Sequence, residues 1–174
     1  LIGVHAKSKA PHGASNDAEA TRISIQNRRK QLAQCIWLRQ RVNQHLKANA
    51  DLIVLGDFND GPGLDEFEKL FGRSGVEIVL SEQDATPLHD PHAALVLGRR
   101  IGAAPATSRF KQRNGTYLNA LLDYVMVSPG IRKMQPFWQI WHPFDHPACY
   151  DNLPLREALL LASDHFPVSL DITL

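Results

Sequence analysis

Two short, wholly apolar runs on either side of a long helical pattern limit what this chain can fold into. The first is Leu1-Ile2-Gly3-Val4; the second is Leu52-Ile53-Val54-Leu55, entered through Asp51. A run without polar alternation suits a strand covered on both faces. Between them, from about Ala18 to Ala48, Leu32, Cys35, Ile36, Val42 and Leu46 fall near one helical face. Arg28, Arg29, Lys30, Gln34 and Arg41 take polar positions on that helix. Such a helix covers one face of the sheet, so the other face must be covered as well.

Further along, Gly56–Gly63 reads as a turn and Leu64–Phe71 as a short helix, with Gly72 placed to end it. Val76–Leu80 reads as a strand, and Ser81–Asn119, with three prolines, as irregular. Leu121–Ser128 reads as a strand stopped by Pro129-Gly130. Met134–Trp141 can be another, with Pro136 at an edge. His142–Leu153 reads as a loop, Leu155–Ala162 as a helical turn or two, and Phe166–Thr173 as a last strand. The order is β-α-β-α-β and then mostly β: a mixed α/β sheet with flanking helices, in one domain over residues 1–174.

The net charge of +1 gives no global field for a polyanion, so affinity for nucleic acid would need a local patch. No apolar run is long enough to span a bilayer. Leu1–Val4 has neither a basic leader nor a cleavage site. A cytoplasmic location is slightly favoured, with secretion left open. Cys35 and Cys149 have no metal-binding spacing and read as ordinary buried or half-buried thiols.

Four segments could carry chemistry. The second apolar strand runs straight into Gly56-Asp57-Phe58-Asn59, and residues two apart in extended chain project the same way, so Asp57 and Asn59 can converge on one ligand. Gly, Asn and Asp also end strands as plain turn formers, and both readings stand. Ser163-Asp164-His165 precedes the last strand. Asp123 sits inside an apolar strand, where a carboxylate is costly unless paired, and a histidine from elsewhere is a natural partner. The first strand delivers His5 at its end. Each of the last three, taken alone, reads more simply as structural.

Together, in this order, the four segments resemble the endonuclease/exonuclease/phosphatase (DNase I-like) superfamily. That resemblance implies divalent-metal-dependent hydrolysis of a phosphate ester, with Mg²⁺ or Mn²⁺ as cofactor. It implies that Asp57 and Asn59 align the attacking water and bind phosphate. It gives His165, oriented by Asp123, the general-base or phosphate-binding role, and His5 the contact to phosphate or leaving oxygen. Metal would fall to Asp164, with Asp57 and Asn59. The family's earlier half, with its Asn and metal-binding Glu, has no counterpart here, so the chain resembles the second half of a four-layer α/β sandwich. A bare sheet face is then expected, covered by a second copy or by the earlier half.

A nucleic-acid phosphodiester is the favoured substrate. A lipid phosphodiesterase, an inositol or other phosphatase, and a non-catalytic interaction module are the alternatives. Arg109, Lys111 and Arg113 lie in the irregular stretch before Asp123 and could meet phosphates. Arg28, Arg29 and Lys30 read as a solvated helix face, and His89, His92, His142 and His146 as solvated loop histidines. Trp138 and Trp141 read as packing residues.

Overall fold

A computed structural model describes residues 1–64, 68–81, 86–98, 104–112 and 114–173. The elements that position the site are strand β1 (Ile2–His5), helix α1 (Asp17–Lys47) and strand β2 (Ile53–Asp57). Short helices α2 (Glu68–Phe71), α3 (Gly75–Leu80) and α4 (Pro91–Gly98) follow, then strands β3 (Ser108–Lys111), β4 (Tyr117–Ala120) and β5 (Asp123–Val127). Helix α5 (Pro129–Lys133), strand β6 (Phe137–Ile140), helices α6 (Pro147–Tyr150) and α7 (Leu153–Ala162), and strand β7 (Val168–Asp171) complete the chain.

The sheet order is β1-β2-β5, with β1 parallel and β5 antiparallel to the central β2. The expected mixed α/β architecture is the one observed. β3–β4 and β6–β7 form two separate antiparallel pairs. The Trp138 indole N–H donates to the Val125 carbonyl at 2.7 Å and ties β6 to β5.

α1 starts where the Asn16 side chain accepts from the Glu19 amide, and the chain turns away through Asn49 in the left-handed region at φ 54°. Its inward face is Arg28, Gln31, Leu32, Cys35, Leu38, Arg39 and Val42, all buried. Ile36, expected on that face, is 49% exposed, because one residue past Cys35 turns it by about 100°. Cys35, Leu38 and Val42 pack with Val54, Phe58, Val76, Val79 and Met126 in one core.

Residues 76–80, expected to be a strand, are helical. Val76, Ile78 and Val79 favour a strand, but Ser74 and Glu77 form a reciprocal capping box that starts α3. The stretch read as irregular also holds α4, β3 and β4, and the loop after His142 holds α6. β5 stops before Pro129-Gly130 as expected, and Pro129 opens α5. Gly56 is required where it stands. Its φ is +135°, and a Cβ there would lie 2.0 Å from the Val4 carbonyl oxygen. Among the described residues, no helix is long and apolar enough to cross a membrane.

Candidate active site

The strand ends meet in a single row. Register pairs His5 with Asp57 across β1–β2, and Asp57 with Asp123 across β2–β5. Facing residues of paired strands are about 5 Å apart with side chains on one face, so backbone pairing brings an imidazole and two carboxylates side by side. The ladders continue one step further: Ala6 N donates to Asp57 O, and Phe58 N to Leu122 O, both at 2.9 Å.

Asp57 is gripped by its neighbour. Its Oδ1 accepts from the Asn59 backbone N–H, and its Oδ2 from Asn59 Nδ2, each at 2.7 Å. Asn59 Nδ2 also lies 3.2 Å from the Ala6 carbonyl oxygen, to which it donates. Asn59 is left-handed at φ 50°, a conformation asparagine tolerates better than most residues. The motif is thus a strand-ending turn, and the turn itself holds Asp57 and Asn59 against the row. Burial pushes the Asp57 carboxyl above the usual carboxylate range. The Asp123 charge adds to the rise, while the Asn59 N–H, His165 and His5 oppose it. His5 Nε2 is 3.8 Å from Asp57 Oδ2, with its ring 82% exposed.

His165 reaches the row from the far end of the chain. Its Nδ1 lies 2.8 Å from Asp123 Oδ2, with both side chains mostly shielded. Its backbone is fixed against β3: Arg109 N donates to Asp164 O at 2.8 Å, and Phe166 N to Thr107 O at 2.7 Å. Thr107, fully buried, accepts from the backbone N–H groups of Leu122 and Asp123, each at 3.0 Å, which fixes the start of β5. The Phe110 ring meets the His165 ring nearly at right angles, with centroids 5.6 Å apart.

His5, Asp57, Asn59, Asp123 and His165 are therefore brought together. Asp57, Asp123 and His165 each offer a ligand atom within 4.8 Å of the others. Two carboxylates and an imidazole suit a divalent cation, which would also relieve the repulsion between Asp57 and Asp123. Asp164 is not in that group; its side chain is exposed and its carbonyl serves β3. Arg109 and Lys111 alternate with Phe110 along β3, so Phe110 is the side chain that meets His165. The Arg109 guanidinium lies 4.0 Å from the Tyr117 ring centre and 4.8 Å from that of Phe144. Arg113 lies outside the described residues.

Two expectations are corrected beneath the site. Arg28 is not solvated: it is 1% exposed, with Nη1 3.0 Å from Oδ1 of the wholly buried Asp60. Lys9 Nζ sits 2.5 Å from the same oxygen, and Gly75 N donates to Asp60 Oδ2 at 2.6 Å. Asp60 draws Arg28 inward because a buried carboxylate demands a cation. His142 is also buried: its Nδ1 accepts from the Phe144 and Asp145 N–H groups, and burial lowers its pKa. His89 and His92 are half-buried, and burial holds both below the usual histidine range. Cys35 and Cys149 are buried free thiols, and burial above all raises Cys35 to about 12. Sequence reasoning missed Gln31, Asp60, Thr107 and Phe110. Gln31 left one sign, as a polar residue on the inward face of α1, and Asp60, Thr107 and Phe110 left none.

The chain is thus an α/β protein whose sheet lines up imidazoles and carboxylates at its strand ends. The family model described as Endonuclease/Exonuclease/phosphatase family matches residues 19–165, and the chain belongs to that family. The family is generally hydrolytic and typically uses divalent metals. No curated protein and no solved structure matches the chain.

Proposed function

We propose that the chain acts as a divalent-metal-dependent phosphodiesterase on nucleic acid. The observation that carries this is the His165–Asp123 pair, standing in one row with Asp57 and His5. Asp123 accepts the Nδ1 proton of His165 and leaves Nε2 to take a proton from the attacking water. As the new P–O bond forms, the old one breaks, and protonated His5 gives its proton to the leaving oxygen. Asn59 and Asp57 orient the water and the phosphate. Asp57 and Asp123, with help from Asn59, would hold Mg²⁺ or Mn²⁺, which would neutralise phosphate charge, and His165 keeps Nε2 for the proton. The β3–β4 ribbon beside His165 carries Lys111, Arg109 and Tyr117, cationic and aromatic groups that suit a polyanion bearing bases.

The test is hydrolysis of DNA, RNA, sphingomyelin and a phosphoinositide by the full chain with Mg²⁺ or Mn²⁺. Nucleic acid is expected to be cleaved and chelation to stop it. His165→Ala and Asp57→Ala should each lose roughly 10²–10⁴-fold in rate. Rates unchanged in either variant would overturn the roles. Cleavage of lipid alone would overturn the substrate.

A further inference from the structure

α1 sends polar side chains inward beneath the active-site turn. Arg28 and Gln31 are three residues apart, so they share a helix face, and both are almost wholly buried. Gln31 Nε2 has three main-chain carbonyls within reach, which its two N–H groups share: Lys7 O at 3.1 Å, Phe58 O at 3.1 Å and Asn59 O at 2.8 Å. Lys7 follows His5 by two residues, and Phe58 and Asn59 follow Asp57 directly. One amide nitrogen thus ties the exit of β1 to the exit of β2, the two strands that deliver His5 and Asp57.

The orientation of this amide is forced. Turned over, Oε1 would face three carbonyl oxygens. As it stands, Gln31 Oε1 is buried with no hydrogen-bond partner. A buried acceptor left unpaired is uncommon and calls for a reason. The reason is at Asn59. Its backbone N–H goes to Asp57 Oδ1, and its side-chain amide to Asp57 Oδ2 and Ala6 O. Its carbonyl is the remaining handle on a left-handed residue, and Gln31 holds it at the shortest of the three distances.

We propose that Gln31 is a positioning residue, which fixes the left-handed Asn59 and so sets Asp57 and His5 in register for the reaction. This rests on the phosphodiesterase reading of the same site. Gln31 touches no reacting atom. It acts through the backbone of the turn.

The test is Gln31→Met, which keeps the length of the side chain and removes its donors. Measured well below the variant's Tm, kcat is expected to fall on the order of 10- to 100-fold, as for a small misplacement of reacting groups, with KM nearly unchanged. The Asn59 backbone amide should exchange with solvent faster, and its NMR cross-peak and those of the His5 ring should move. Gln31→Asn keeps both amide donors on a shorter side chain and should fall between wild type and Gln31→Met. A lowered Tm with kcat intact and Asn59 exchange unchanged would overturn the proposal. If the wild-type chain cleaves no phosphate ester, the functional reading fails, and the Asn59 and His5 spectra still decide the positioning role. Should Gln31→Met not fold, Gln31→Asn carries the same measurements.

Discussion

Burial of Arg28 under the active-site turn can be tested as energy. Arg28 is 1% exposed and Asp60 0%, with 3.0 Å between their charged atoms. Removing one partner of a buried pair typically costs about 3–5 kcal/mol, because a charge is stranded out of water. In Arg28→Met the Asp60 carboxylate keeps Lys9 and the Gly75 N–H, so the lower end, about 3 kcal/mol, is expected. In Asp60→Asn two cations face a neutral amide, and the upper end, about 5 kcal/mol, is expected. The double variant strands no Arg28–Asp60 charge and should cost less than the sum, leaving a coupling of about 2–3 kcal/mol. The assay is urea unfolding of the four proteins at neutral pH, read as midpoints at constant slope. For a domain of this size, Arg28→Met should lower Tm by about 6–12 °C. Losses that add within about 0.5 kcal/mol would refute the coupling. A loss for Arg28→Met below about 0.5 kcal/mol would put its guanidinium back in solvent.

Asp57 binds its proton more tightly folded than unfolded, so its contribution to stability is present at low pH and is lost as pH rises towards its raised folded value. Asp57→Asn cannot ionise and should gain on wild type in urea midpoint between about pH 3 and pH 7, while losing hydrolysis; a difference flat across that range would contradict the raised carboxyl. Gly56→Ala places a methyl 2.0 Å from the Val4 carbonyl at φ +135° and should cost about 3 kcal/mol or more by thermal unfolding. Ser74→Ala removes half of the α3 capping box and should cost about 1 kcal/mol in the same assay.

The site residues were legible because each sits at the end of, or beside, an apolar strand. Asp57 and Asn59 follow Leu52–Leu55, and Asp123 opens a strand that runs to Val127. Their convergence was not legible from any one segment, because it is made by registers that join residues far apart in the chain, such as His165 with Asp123. Gln31, Thr107 and Asp60 act through backbone groups 15 to 28 residues away, and such contacts leave little local pattern. Residues 76–80 misled through their β-branched side chains, although Ser74 and Glu77 had already marked a helix start. Arg28 misled because charge was taken to mean exposure.

The row of His5, Asp57 and Asp123 has a consequence for how the site could fail. Its spacing is a property of the hydrogen-bond ladder, the same repeat that separates any two neighbouring strands. Repacking of apolar side chains away from the turn leaves that ruler unchanged, so the ladder tolerates gradual wear in the core. A slip of one residue in β2 would instead turn Asp57 to the opposite face and dismantle the row at once. Damage to this site should therefore be abrupt. A population in which that register slips would divide into molecules that hold the row and molecules that lack it.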